Sequence, residues 1–342
     1  MEPVTPPSEP AAKSSLRTWW HFLRHWGISL ASFVGGLLTL FVFRREVTQV
    51  RWVIGYLLLL WLLFAVMAQR RQQLESRGRR LIVTAADYLI QTLYHGILLF
   101  LLPAYWASTT LGSVNVVFLA VLVGLALLAT FDPWYRALVL PYPASASLFF
   151  VVSIFGALNV ALPLVGLRPR DALVASAFLA VLALAPLIRR ARDWSWARTL
   201  AVMTGLAFVG AGAASVGRAW IPPAPLSLGR ATMARAVDEG RPVGALGHRI
   251  SVTDLRTAGG LVAYTPIHAP AGLRQPVAHV WRLRGQVVDW VSLSPVRGGR
   301  REGFRTYSRK TGFPPDLVGP WSVDVVTESG QLIGRLRFRV TP

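Results

Sequence analysis

GFRTYSRKTGFPPDLVGPWSVDVVTESGQLIGRLRFRV, residues 303–340, decides how the chain is read. In its last ten positions Leu336, Phe338 and Val340 fall on one parity and Arg335, Arg337 and Arg339 on the other. That two-residue period is the mark of a strand with one buried and one wet face. One strand earlier Trp321, Val323 and Val325 repeat the pattern, with Ser322 and Asp324 facing the opposite way. The ESGQ between them reads as a tight hairpin turn in which Gly330 supplies the positive φ.

Working outward, short alternating runs bounded by turn residues continue back to residue 249, at 249–253, 260–267, 277–283, 286–293, 303–310, 321–327 and 332–340. Strands at this spacing predict an all-β, antiparallel sandwich of immunoglobulin-like size over 246–342. Before it, 219–245 opens with WIPPAPL, a proline-stiffened exit, and residues 227–239 read as a short helix with Ser227 as N-cap and Gly240 beyond its end.

The rest of the chain is apolar. It is 53% hydrophobic with a mean hydropathy of +0.46, well above a soluble norm. Seven runs near the length of a bilayer-spanning helix predict a helical bundle over 26–218, at about 26–43, 52–68, 81–107, 114–131, 148–167, 172–188 and 200–216. Residues 1–25 read as a disordered tail followed by LRTWWHFLRHW, an aromatic and basic interfacial segment.

The formal charge is +20. Residues 1–218 hold 19 Lys and Arg against 8 Asp and Glu, and residues 219–342 hold 17 against 8, so the β region is as basic as the bundle. With the N-terminus inside, the inner connections carry 13 Lys and Arg and the outer ones 5, counted over the short loops. The positive-inside rule then predicts a cytoplasmic N-terminus and a C-terminal domain outside. The Arg44, Arg45 and Arg51 of the first outer loop run against this count. Cysteine is absent, which excludes disulfides and thiolate sites.

The residues HVW, Gly285, FRTYSRK, GPWSVDV and SGQLIG, from His279 to Gly334, resemble a bacterial domain known as domain of unknown function 2914. The preceding bundle resembles in layout the multi-span region often fused to it. This resemblance implies the architecture, set in a bacterial inner (cytoplasmic) membrane with the C-terminal domain periplasmic, and carries no activity or binding residue.

Two groups of residues are candidates for chemistry. In the 81–107 run Thr84, Asp87, Gln91 and His95 fall at helical spacings on one face. Ionisable groups in such a run mark a proton or solute path, a head-group site, or a polar seam packed against Asn115 or Asn159. His95 is the one histidine deep in the apolar region, which disfavours a bis-histidine haem. In the β region Arg282, Arg284, Arg305, Arg309, Arg335, Arg337 and Arg339, with Tyr307, are expected either to gather into one basic binding face or to scatter over a solvated one. Trp281 and Trp321 share parity with core positions. The FDPWYR turn at 131–136 reads as an interfacial anchor, and Gly205, Gly210 and Gly212 permit close helix contact.

No HExxH, GxSxG, phosphate-binding glycine loop or carboxylate cluster is present. His248, His268 and His279 with Asp254 or Asp289 read as structural. The expectation is a non-enzymatic accessory or binding protein without cofactor or metal. Its partners would be the lipid bilayer and an anionic envelope glycan, lipid head group or acidic protein, and nucleic acid is not expected. The alternative is a transporter-like or intramembrane enzyme built on the polar stripe.

Overall fold

A computed structural model describes residues 48–224 and 226–342, with side chains from residue 54 onward. Its N-terminal part is helical: α1 (Thr48–Ser76), α2 (Arg80–Ser108), α3 (Val116–Thr130), α4 (Asp132–Leu138), α5 (Pro143–Leu164), α6 (Pro169–Leu182), α7 (Ala185–Arg192) and α8 (Trp196–Val216). Among the described residues five helices or continuous helix pairs are long and apolar enough to cross a membrane, and α3 with α4 makes a sixth if the bent pair is one span. The run expected at 26–43 lies outside the described residues.

The bend between α3 and α4 is 107°. The α3 helix has 15 residues, about 22 Å of rise, and Asp132-Pro133 follows; the proline ring cannot extend the helix it follows. Outward-facing side chains are apolar, Leu58, Leu62, Phe208 and Val209 among them, and only 17% of the α8 window is buried. A helix that shows its greasy side outward is built for a lipid solvent. Inside, Leu60, Leu98, Leu101, Tyr105, Leu122 and Phe150 form the core. Of the three glycines expected to allow close contact, only Gly210 meets a neighbour, since a Cβ there would lie 3.0 Å from Val181 Cγ2 on α6; Gly205 and Gly212 face open space.

The C-terminal part is β-rich. One sheet runs β1 (Ser227–Leu228), β5 (Leu261–His268), β2 (Thr232–Asp238), β3 (Arg241–Leu246), with β10 (Phe304–Lys310) on the other edge of β5. The second runs β4 (Arg249–Ser251), β12 (Leu332–Thr341), β11 (Gly319–Thr327), β7 (Val277–Leu283), β8 (Gln286–Ser292). A small pair, β6 (Arg274–Gln275) with β9 (Val296–Arg297), closes one end. Met233, Leu261 and Ala263 of the first sheet share a core with Trp281, Trp321, Val323, Leu336, Phe338 and Val340 of the second. The apolar parity of 321–340 is therefore core, as the sequence implies.

Three expectations are corrected. Residues 227–239 form β1 and β2, because Glu239 (φ 46°) and Gly240 (φ 72°) turn β2 back onto β3 with Asp238 opposite Arg241. Both central residues at positive φ make the turn type that suits strand twist, so the glycine placed beyond a helix end is a hairpin residue. Pairing is not wholly antiparallel, since β4 runs parallel to β12 with Arg249 opposite Arg339. The strand expected at 249–253 is cut short because Ser251 Oγ accepts from Asp254 N at 3.0 Å and caps α9 (Val252–Thr257). By contrast Gly330 has φ 84°, in the ESGQ turn where it was expected.

Candidate functional site

The bundle has two chemically different ends. The 29-residue α2 separates them by about 43 Å. At one end Arg71, Arg80 and Arg136 gather with Glu75, Asp87 and Gln91 around a cavity of about 370 Å³. Arg190 on α7 reaches Gln72 Oε1 at 3.3 Å, tying the other basic turn to the same end.

Three members of the polar stripe, Thr84, Asp87 and Gln91, line this cavity, and His95 lies deeper. Arg71 grips Asp87 with a two-pronged bond, Nη1 to Oδ1 at 3.1 Å and Nη2 to Oδ2 at 2.9 Å, while its Nε donates to Glu75 Oε1 at 3.1 Å. Such a fork is the strongest geometry an Arg–carboxylate pair adopts. Gln91 Nε2 donates to the Ala129 carbonyl at 3.1 Å. Thr130 Oγ1 donates to Ala126 O at 2.7 Å, so its oxygen receives the Nδ1 proton of His95 at 2.9 Å. The stripe is thus a seam against α1 and the end of α3. The neighbours named from sequence are elsewhere: Asn159 Nδ2 donates to Tyr105 Oη at 3.1 Å, and Asn115 sits in the loop at the far end.

At that far end the β domain is fastened to the bundle. Asn115 Nδ2 donates to Leu332 O at 3.4 Å, Gln331 Nε2 to Ile221 O at 3.1 Å, Arg218 Nε to Ser329 O at 2.6 Å, and Arg337 reaches Gly112 O at 3.5 Å. The 328–331 turn and the start of β12 are the clasp.

Of the two arrangements left open for these arginines, one shared face or a scattered one, the structure has them divided between two opposite faces. Phe304, Thr306, Ser308 and Lys310 stand opposite the inward residues of β5, so Arg305, Tyr307 and Arg309 point away from the core on the first sheet. Arg282, Arg335, Arg337 and Arg339 point away from it on the second, on the opposite side of the domain. Several are also neutralised. Arg282 and Arg335 both grip Asp324, a buried carboxylate directly across from Arg335; its hydrogen bond to Asp324 pushes the Arg335 guanidinium pKa up further. Arg284 sits at the β7–β8 turn with φ 50° and forks onto Asp316 at 2.8 and 2.9 Å. Arg305 pairs with Glu302 at 3.0 Å, and Arg309 leans on the carbonyls of Ala258 and Gly259.

What is left is a smaller patch. Arg337 and Arg339 on β12 and Arg249 beside them on β4 are exposed, with no ion pair among the described residues. Like charges in register cost free energy, and here no carboxylate offsets it. Arg249 went unnoticed in the sequence because nothing local announces a parallel edge strand. Trp290, in register with Val280 on the same sheet, is 54% exposed, and Tyr307 on the other sheet 51%. Trp281 and Trp321 are buried core.

His279 is also buried, within a chain of hydrogen bonds between the sheets. Trp281 Nε1 donates to Ser308 Oγ at 3.1 Å, and Ser308 lies 2.8 Å from His279 Nδ1. His279 Nε2 lies 2.7 Å from Thr265 Oγ1, itself 2.7 Å from Thr306 Oγ1, which donates to the Thr265 carbonyl at 2.6 Å. Only one direction satisfies every atom: Ser308 donates to Nδ1, and a neutral imidazole donates from Nε2. Burial lowers the pKa of His279 to about 4. This is structural chemistry without a carboxylate, and His248 and His268 are not part of it.

The model of the family of unknown function DUF5924 matches residues 10–263, well over half of the chain. The chain belongs to this family. The model of the protein of unknown function DUF2914 matches residues 274–340, so a DUF5924 region is fused to a C-terminal DUF2914, in agreement with the resemblance read from the sequence. The DUF5924 match runs into β5, so β1 to β4 belong to it and the boundary between the two families falls inside the β domain. Of the five strands in the first sheet only β10 lies in the DUF2914 match. No curated protein matches the chain.

Proposed function

We propose that this chain is a non-enzymatic binding protein of the bacterial cytoplasmic membrane. Its bundle of seven spans holds an immunoglobulin-like β sandwich on the periplasmic side, and Arg249, Arg337 and Arg339 take an anionic phosphate or carboxylate group at the membrane surface. Supporting the orientation, Arg71, Arg80, Arg136 and Arg190 sit at the end remote from the β domain, and cytoplasmic loops carry the Lys and Arg excess. The seven spans combine the five helices, the bent pair and the 26–43 run.

The observation that carries the reading is the placement of this arginine patch, which no carboxylate neutralises among the described residues. Arg337 touches Gly112 in a bundle loop, which sets the patch at the level where the bundle ends. Exposed arginines there meet lipid head groups or the acidic glycans lying on them, and each adds about 1 kcal/mol of attraction near an anionic surface. The alternative built on the polar stripe is weakened, because Asp87, Gln91 and His95 are committed to Arg71, Ala129 and Thr130.

The test is hydrogen exchange of β4 and β12 with the full chain in nanodiscs. Protection in phosphatidylglycerol discs that is lost in phosphatidylcholine discs, and lost again in R249E/R339E, supports head groups as the ligand. Protection that appears only on adding an acidic glycan assigns the glycan instead. Exchange that is the same in all conditions overturns the reading.

A further inference from the structure

The cavity at the basic end is a second site, separate from the β-domain patch. We infer that it binds a zwitterionic amino-alkyl phosphate, the head group of an aminophospholipid. The charge balance decides between ligand classes. Arg71, Arg80 and Arg136 line the cavity with Glu75 and Asp87, and Asp132 holds Arg136 at 3.1 Å. Three cations are then set against three carboxylates, two in the lining and Asp132 behind Arg136. A bare phosphate would find little net field to hold it, whereas a zwitterion adds no net charge and satisfies both signs.

The partners already made assign the roles. The Arg71 fork is spent on Asp87, so Arg71 and Asp87 are wall. Arg80 is exposed and has no ion pair among the described residues, which makes it the phosphate donor, and Arg136, bonded to Asp132 through Nε, brings its Nη groups to the same lining. Glu75 accepts from Arg71 through Oε1 alone, and its other oxygen takes the ammonium. An ammonium carries three donors and no acceptor, so it suits a carboxylate edge that Arg71 leaves open. A volume of about 370 Å³ is within the range of small-ligand pockets.

The lipid source follows from the surroundings. Leu81, Ile82 and Leu89, on the helix that lines the cavity, are exposed apolar side chains, and Tyr88 lines the cavity while itself exposed. Acyl chains can lie along this surface while the head group reaches in. A soluble amino-alkyl phosphate would gain nothing from it.

The experiment is native mass spectrometry of the full chain released from nanodiscs of equal phosphatidylethanolamine and phosphatidylglycerol, with glycerophosphoethanolamine as soluble competitor. The expected result is preferential retention of phosphatidylethanolamine. Arg80→Gln should lower that retention about tenfold, the size of one lost charge-assisted bond. Glu75→Gln should abolish the preference over phosphatidylglycerol while keeping total lipid bound, and both variants should melt as the wild type does. Equal retention of the two lipids, or retention unchanged in Arg80→Gln, overturns the assignment. Competition by glycerophosphoethanolamine as effective as by the lipid itself overturns the lipid source. Because none of these outcomes involves Arg249 or Arg339, failure here is distinct from failure of the β-domain reading.

Discussion

Acidification should loosen the β domain through one residue. In the unfolded chain His279 titrates at its ordinary value near 6.5, and in the folded domain its pKa is about 4. The unfolded state therefore binds the proton more readily between these values, and stability is complete above about pH 6.5 and falls as the pH drops toward 4. Across the full window the loss is about 3 kcal/mol, and between about pH 7.5 and about pH 5 it is about 2 kcal/mol. For a domain of this size that lowers the melting temperature by about 8 °C. The physical cause is burial between the sheets, which strips the imidazolium of its hydration and disfavours the charged form. The assay is thermal unfolding of the full chain followed by near-ultraviolet circular dichroism of the buried Trp281 and Trp321, compared with His279→Gln. The variant should start less stable at neutral pH and show a flatter response to acid. An acid response of the same size in both proteins would refute the reasoning.

Other outcomes follow from the same geometry. Asp324→Asn leaves Arg282 and Arg335 half-buried without their carboxylate, and should cost about 3 kcal/mol in chemical denaturation of the β domain. Arg335→Glu should unfold the domain by setting a carboxylate against Asp324, whereas Arg339→Glu sets a carboxylate opposite Arg249 and should leave the domain folded with its melting temperature slightly raised; this excludes Arg335 from any test of binding by charge reversal. Residues 274–342 expressed alone should give an unfolded exchange pattern, since β10 loses β5 and His279 loses Thr265, whereas 219–342 should show dispersed amide resonances. Gly210→Val should lower bundle stability by about 2 kcal/mol in detergent through the clash with Val181, while Gly205→Val should have little effect.

How much of this could be read from the chain depends on how local its cause is. The parity of 321–340 gave the core face directly, because alternation is a property of single strands, and the Gly330 turn followed from the sequence between them. Asp324 was already visible on the arginine parity. Its place opposite Arg335 needed only the hairpin register, yet seven arginines in alternating runs invited the picture of one basic face. The actual division, with Arg305, Tyr307 and Arg309 on one side and Arg282 and Arg335 to Arg339 on the other, depends on which sheet each strand joins. That is a long-range fact. β2 and β3 were missed because Ser227 and Gly240 fit a helix cap as well as a hairpin, and the choice between them is made by pairing with β5. The polar stripe was legible as a face of α2, but its partner Arg71 lies on another helix, and the cavity needs the α3–α4 bend that Asp132-Pro133 creates.

The central claim, that Arg249 and Arg339 hold anionic groups at the outer membrane surface, is tested most directly by a photo-crosslinking residue placed at Thr341, beside the patch, in intact cells. The account predicts adducts of phosphate-bearing lipid or acidic glycan that disappear when R249E/R339E is introduced into the same chain. Adducts unchanged by the charge reversal, or formed only with cytoplasmic proteins, would contradict it.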